Sequence, residues 1–155
     1  MQFSVDDLPQ PLLLLYGYWQ KKNKNGCLPG RKDIDPVDMR QFLAHTALID
    51  IVGDATSPKF RFRLVGTHIV DVHGSELTGQ FIDELDIGDS WHDALALCHY
   101  TTENGKPAFQ AGEYLRKHDD ARFGFERLML PLAGDGRSVD MLLVGANLTR
   151  LPNNR

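Results

Sequence analysis

The stretch KFRFRLVG, residues Lys59–Gly66, decides how this chain should fold. Phe60, Phe62 and Leu64 alternate with arginines in it, which is the two-residue period of a β-strand. An aliphatic segment, residues 45–52, precedes this stretch across a turn rich in glycine and proline. We therefore expect the two segments to form an antiparallel hairpin, with Phe60, Phe62 and Leu64 on one face.

Upstream of the hairpin, the sequence predicts an N-terminal helix. Leu12, Leu15, Tyr16 and Trp19 follow the i, i+3, i+4, i+7 spacing of a single apolar helical face. Asn25-Gly26 is a typical helix stop. An extended loop and one short helix should follow before the first strand.

Downstream of the hairpin, the pattern changes from alternation to short apolar patches broken by glycines, which predicts short helices or turns over residues 67–88. Gly66, Gly74 and Gly79 should permit a positive φ or a close approach of the backbone. A longer helix is predicted from an N-cap at Asp89-Ser90 to a stop at Asn104-Gly105. Its apolar face should carry Trp91, Leu95, Cys98 and Thr102.

Three strands are predicted in the last third, over residues 108–116, 123–132 and 139–148. The final strand is apolar on both faces: Met141 and Leu143 alternate with Leu142, Val144 and Leu148. A strand with two apolar faces is covered on both. The fold class is therefore α+β, with an antiparallel sheet that something covers on each side.

The element order resembles the PAS domain superfamily, and short motifs extend the resemblance to a stand-alone bacterial PAS subfamily formerly known as a domain of unknown function. These motifs lie between residues 16 and 145: Tyr18-Trp19, Leu28-Pro29-Gly30-Arg31, Asp35-Pro36, Phe62–Thr67, Gly74, Leu77-Thr78-Gly79, Glu126-Arg127, Leu130-Pro131-Leu132 and Val139–Leu143. The resemblance implies a PAS-like five-stranded antiparallel sheet with central short helices and an extra N-terminal helix. It divides the chain into an N-terminal helical extension (1–26), a PAS-like domain (27–150) and a tail (151–155).

The function implied by the resemblance is sensing or protein interaction without catalysis, through a small ligand and a separate signalling protein. No attached kinase, cyclase or DNA-binding segment is evident, so we expect the output to reach another chain. The net charge of −4 argues against general nucleic-acid binding, which needs a basic face. No apolar run is long enough to span a membrane and no signal peptide is evident, so we expect no membrane association and a cytoplasmic location, where Cys27 and Cys98 stay reduced.

PAS domains often hold a ligand between the sheet and the central helices, and this defines the candidate pocket residues: Arg63, His73, Trp91, Leu95, Cys98, His99, Tyr114 and Arg127. The motifs support neither haem nor flavin, so the cofactor is unknown. His99 is on the helix that supplies the iron ligand in some haem-binding relatives, but it should point partly outward. The Asn-Cys-Arg-Phe-Leu-Gln stretch of light-sensing relatives is absent, and Cys98 is expected to be a core residue. Histidine and cysteine spacing predicts no zinc site.

Arg63 and Arg127 each lie among apolar neighbours on a predicted strand. A buried arginine needs a partner, because an unpaired buried charge is costly. One interpretation is that one of them reaches a carboxylate, from Asp83, Glu84 or an anionic ligand. The alternative is that both lie on the outer sheet face and extend to water.

The N-terminal helix has two interpretations, ordinary core packing or a cover for the sheet that contributes to a homodimer. The candidate dimer face is Leu12, Leu15, Tyr16 and Trp19.

A different class of function is a small α+β enzyme of hot-dog or cone-shaped fold, acting on a thioester or a hydrophobic small molecule. Its acid or base would come from Asp83, Glu84, Asp86 or His92. The predicted strand order disfavours it, since a hot-dog sheet wraps a long early helix.

Overall fold

Five antiparallel strands form one sheet in the order β2-β1-β5-β4-β3. The computed structural model describes residues 2–85 and 90–152, with the side chain of Ser90 left aside. The strands are β1 (Thr46–Val52), β2 (Lys59–Val65), β3 (Ala108–Leu115), β4 (Arg122–Leu132) and β5 (Met141–Arg150). The predicted fold class, an α+β PAS-like sheet, is confirmed, and each strand boundary lies within two residues of its prediction.

Three α-helices flank the sheet: α1 (Gln10–Lys22), α2 (Thr67–His73) and α3 (Ser90–Asn104). Short 3-10 turns occupy 5–7, 31–33, 36–39, 43–45 and 82–84. We call the face covered by α2, α3 and the 82–84 turn the inner face, and the face covered by α1 and residues 27–42 the outer face. Among the described residues, no helix is both long and apolar enough to cross a membrane.

Each face of the sheet has its own core, as the two-sided apolar pattern predicted. On β5, Leu142 and Val144 belong to the inner core, whereas Met141 and Leu143 belong to the outer core. Leu148 lines a cavity on the inner side, which confirms its predicted face. The central strands are thus buried on both sides, and the two cores lie back to back across one sheet.

Helix α1 is tied to the sheet by packing and by one buried hydrogen bond. Leu12, Leu15 and Trp19 are buried in the outer core, and the Trp19 indole N–H donates to the Pro131 carbonyl oxygen over 2.9 Å. Proline is tolerated in β4 at this point because β3 pairs with β4 only as far as Met129, so no ladder bond is lost on that side. The indole supplies the partner that the neighbouring strand does not.

A β-bulge at Arg63 corrects the predicted alternation of β2. Ile49 pairs with Phe62, but the next residue back, Leu48, pairs with Leu64, so Arg63 is the extra residue. The inserted residue reverses the faces to which the side chains after it point. Phe60 and Phe62 pack in the inner core, whereas Leu64 lies on the opposite side and is half exposed.

Strand β2 lies at one edge of the sheet, and the segment that follows α2 covers its unpaired side. The Phe62 amide donates to the Gln80 carbonyl over 2.9 Å, and the Gly79 amide donates to the Phe62 carbonyl over 2.7 Å. Arg61 and Phe81 complete a short antiparallel bridge. These bonds satisfy backbone groups that an open edge would leave exposed for pairing with another chain.

The predicted roles of the glycines between strand and helix are confirmed. Gly74 and Gly79 have φ of +93° and +87°, in the left-handed region that favours glycine. Gly66 has an ordinary φ, but a Cβ there would overlap the carbonyl oxygen of Ala44. Glycine is required at that position for the close approach of two backbone segments.

Helix α3 buries a face slightly rotated from the predicted one. Ala94, Leu97 and Thr101 are buried together with Cys98, whereas Thr102, which we predicted on that face, is only partly buried. Its hydroxyl donates instead to the Cys98 carbonyl over 2.7 Å. The predicted N-cap at Asp89 lies outside the described residues.

Candidate functional site

A cavity of about 120 Å³ lies between the inner face and the helices that cover it. Its wall is largely aliphatic and aromatic, and all five strands contribute side chains to it. Principal apolar lining residues are Ile49, Ile69, Leu77, Met129 and Val144. An apolar cavity with a few polar groups is the usual form of a small-molecule site.

Arg127 brings a positive charge to the cavity from the middle of β4. Its guanidinium lies over the Phe125 ring at 4.5 Å from the centroid, and its Nη1 donates to the Gln110 side-chain oxygen over 3.1 Å. Gln110 is its register partner on β3. Stacking on one face and a single neutral acceptor fix the orientation of the guanidinium, but neither of these two contacts neutralises its charge.

No carboxylate among the described residues forms an ion pair with Arg127. Glu126 is adjacent in sequence and contributes to the cavity wall, but its carboxylate accepts from the Asn147 amide over 3.1 Å. Burial lowers the pKa of Arg127 from its ordinary value of 12.5, and the nearby Cys98, Asp93 and Tyr114 partly oppose this. A guanidinium remains charged in proteins, so this is a partly buried cation without an ionic partner.

Tyr114 and His73 also line the cavity. The Tyr114 ring stacks on Phe123 at 5.8 Å between centroids and lies 6.2 Å from the Phe125 ring. Burial raises the pKa of the Tyr114 phenol, with Arg127 as the largest opposing effect. The phenol therefore remains a neutral hydrogen-bond donor at the cavity wall.

The rim of the cavity is formed by the end of α2 and the turn after β3. Arg116 donates to the Val72 carbonyl over 2.9 Å and forms an ion pair with Asp119 at 2.5 Å. The hydrogen bond from the Arg116 guanidinium stabilises the charged form of Asp119. This lowers the pKa of the Asp119 carboxyl far below its ordinary range. Arg116 is thus already paired with a carboxylate of the protein, whereas no described carboxylate forms an ion pair with Arg127.

Of the eight predicted pocket residues, His73, Tyr114 and Arg127 line this cavity. Arg63 does not: its side chain is 57% exposed, and its Nη1 lies 3.5 Å from an Asp50 carboxylate oxygen. Arg61 approaches the same carboxylate at 3.8 Å. The prediction that Arg63 lines the pocket is wrong, because the bulge places this residue on the surface.

The four remaining predictions lie on α3 and are not part of the cavity wall. Trp91 and Leu95 pack against the inner core at its periphery. Cys98 is fully buried in that core, where burial raises the pKa of its thiol to about 12. His99 packs edge-on against Phe60 at 5.0 Å. Neither the Cys98 thiol nor the His99 ring lines the cavity in this arrangement.

The residues of the predicted dimer face pack against the sheet of their own chain. Leu12, Leu15 and Trp19 are buried under α1, and Tyr16 packs beside them. Of the four, only Tyr16 retains some exposed surface. The exposed apolar surface of α1 is instead made by Leu13 and Leu14, which are 40% and 38% exposed.

The acids and histidine proposed for an enzyme do not converge on the cavity. Asp83 and Glu84 are exposed in the 82–84 turn, His92 is exposed on α3, and Asp86 lies outside the described residues. Within the described chain, no three His, Cys, Asp or Glu side chains group as a metal site.

Sequence reasoning missed two polar features near the cavity. Gln110, which holds the guanidinium of Arg127, is recognisable only from the register between β3 and β4. His45 and His68 lie with ring centroids 4.1 Å apart beside the end of β5. They are 23 residues apart in sequence, and only the return of the chain after β2 brings them together.

The profile of a PAS domain family matches residues 9–146. Among solved structures, a light-oxygen-voltage protein of Rhodobacter sphaeroides is 15% identical with a TM-score of 0.51, covering 95% of this chain and 70% of its own. Another, from a study of a flavin analogue in a light-oxygen-voltage domain, is 17% identical with a TM-score of 0.53, covering 80% of this chain and 90% of its own. At these identities, the structural likeness concerns the fold alone. No curated protein matches the chain.

Proposed function

Because the chain belongs to the PAS domain family, whose members are in general non-catalytic sensor modules, we propose that it senses a small molecule bound between the inner face and helices α2 and α3. The observation that carries the proposal is the apolar cavity of about 120 Å³ containing the side chain of Arg127. A ligand there would touch the sheet and the covering helices together. Its binding would therefore alter their packing.

The size of the cavity supports a ligand smaller than a flavin. Sites for drug-sized ligands measure roughly 300–1,000 Å³, whereas an engineered apolar cavity of roughly 150 Å³ holds benzene. The flavin analogue named for one structural neighbour concerns that protein. For this chain, the wall residues and volume favour a compact, mainly apolar molecule.

Native mass spectrometry of freshly purified protein tests the proposal. We expect an added mass from a retained small molecule, and we expect Ala94→Met to abolish it, because Ala94 lines the cavity and a longer side chain would fill it. Ala111→Met is the control, since Ala111 is exposed on β3. Retention of the same mass by Ala94→Met would contradict binding in this cavity.

The expected partners, a second copy of the chain and a separate signalling protein, belong to the same proposal. Association through α1 is supported by Leu13 and Leu14, which are consecutive in sequence and both exposed. Light scattering should give a dimer mass for the wild type and a monomer mass for Leu13→Glu/Leu14→Glu. Leu115→Glu, at an exposed apolar residue of β3, is the control. A monomeric wild type would remove dimerisation from the proposal.

A further inference from the structure

The guanidinium of Arg127 indicates that the cavity suits a ligand with an anionic group. It is the one cationic side chain that β4 projects to the inner face in the described structure, and its partners there are a neutral amide and an aromatic ring. A buried cation is normally paired, because leaving it unpaired costs several kcal/mol. Asp93 is near enough to favour the charged form, but no described carboxylate forms an ion pair with Arg127, and the cavity beside it offers room for a counter-ion.

The orientation of Arg127 suits an anion that approaches in the plane of its guanidinium. Phe125 covers one face of the group, so the N–H bonds point sideways from the stack. Gln110 takes a hydrogen bond from Nη1, and a guanidinium has five N–H donors in a fixed fork. The donors that Gln110 leaves free can bind a planar carboxylate through two parallel hydrogen bonds.

Away from Arg127 and the polar rim formed by Arg116, Lys117 and His118, the wall suits an apolar body. Ile49, Met129 and Val144 offer no hydrogen bonds, so a second charge placed against them would be desolvated without compensation. Tyr114 supplies a neutral phenol that can donate to the carboxylate or to a second oxygen. The volume of about 120 Å³ limits the body to roughly the size of a benzene ring.

We propose that the cavity binds a small monocarboxylate, with the carboxylate on the guanidinium of Arg127 and the hydrocarbon body among the aliphatic side chains of the inner face. This inference rests on the proposed sensor function and specifies its ligand class. Isovalerate and benzoate are suitable probes. Their amides, isovaleramide and benzamide, have the same shape without the charge and are the matched controls.

The first test compares acids with amides on the wild-type protein by titration calorimetry and thermal shift. We expect the acids to bind and the amides to bind about tenfold to a hundredfold more weakly, the range for a charge-assisted hydrogen bond. Equal binding of acid and amide, or no binding of either acid, overturns the inference. This comparison needs no variant and does not depend on how a mutant folds.

The second test removes the charge. Arg127→Gln should lose acid binding by a similar factor, Arg127→Lys should retain part of it, and the exposed Arg63→Gln should retain all of it. In wild-type protein labelled with ¹⁵N, benzoate should shift the Arg127 Nε–H resonance, whereas benzamide should not. Unchanged acid binding by a folded Arg127→Gln overturns the inference.

Failure of the inference is separable from failure of the sensor function. A neutral or cationic compound recovered from the cavity, absent from Ala94→Met, would overturn the carboxylate and leave the sensor function in place. The same added mass on the wild type and on Ala94→Met, together with no acid binding, would remove both.

Discussion

His45 and His68 stack with their ring centroids 4.1 Å apart, where the chain after β2 returns to β5. His45 Nδ1 lies 3.1 Å from the Ala146 carbonyl oxygen and so carries the proton there. His68 Nε2 accepts the Leu148 amide over 3.1 Å. That nitrogen cannot gain a proton without losing the hydrogen bond, so the pair tethers β5 only while His68 is neutral.

The first prediction is that the protein loses stability as the pH falls below about 6.5. The pKa of His68 is lowered from 6.5, mainly by burial and further by the neighbouring His45. The pKa of His73 is also lowered from 6.5, mainly by burial and further by His118. The unfolded chain therefore binds protons in this range that the folded chain does not, and unfolding becomes more favourable. Urea midpoints measured from pH 7.5 to 5.5 should decrease.

His68→Gln should weaken this pH dependence, because a glutamine can accept the Leu148 amide without titrating. His92→Gln is the control, since His92 is exposed on α3. An identical pH dependence for wild type and His68→Gln would show that His68 does not contribute.

The second prediction concerns Gly66 and Gly17. Gly66→Ala should destabilise the protein by about 1–3 kcal/mol, because the added methyl group overlaps the backbone of Ala44. Gly17→Ala should stabilise it by about 0.5–1 kcal/mol, since a Cβ there meets nothing within 4 Å and glycine weakens a helix interior. Denaturant unfolding of both variants measures the difference. A neutral Gly66→Ala would contradict the close approach of the two segments.

The third prediction concerns an unpaired hydroxyl in α3. The Thr101 side chain is 0% exposed, and its Oγ1 has no hydrogen-bond partner among the described residues. Thr101→Val keeps the shape and removes the unpaired group, so we expect a gain of about 1 kcal/mol. The neighbouring Thr102→Val should give no gain, because it removes the bond to the Cys98 carbonyl. Thermal unfolding of both variants is the measurement, and a less stable Thr101→Val would show that the hydroxyl is satisfied in solution.

The fourth prediction concerns the attachment of α1 to the sheet. Trp19→Phe removes the donor to the Pro131 carbonyl but keeps an aromatic ring in the outer core. A buried acceptor without a partner costs about 1–3 kcal/mol, and we expect a loss of that size in unfolding free energy. Tyr18→Phe is the control, because the Tyr18 hydroxyl accepts the Asp35 amide in an exposed position. Equal effects of the two substitutions would contradict the importance of the buried bond.

The sequence was sufficient for the strands, the long helices and the two-faced sheet, because each depends on local periodicity. It failed where one inserted residue changes the phase: the bulge at Arg63 separates Leu64 from Phe60 and Phe62. No pattern in a single strand reveals a bulge, since it depends on how the partner strand pairs.

The candidate site was predicted only in part, because strand register and helix rotation decide which side chains line the cavity. Arg127 was singled out because it is charged within an apolar strand, and Tyr114 and His73 came from the resemblance to PAS domains. The candidates on α3 do not line the cavity, since the buried face of this helix is rotated from the predicted one. Gln110 needed the register of β3 against β4. The cavity itself is the space that packed side chains leave, and residue types alone do not define it.

The alternation of β4 has a consequence for how a signal could cross the molecule. Arg127 faces the cavity while the next residue, Leu128, is packed in the outer core with α1. The two side chains share one peptide linkage, so a small shift or twist of the strand moves both. In the proposed sensor function, a ligand that displaces Arg127 would therefore also displace Leu128 and its contacts with α1, through the backbone of β4.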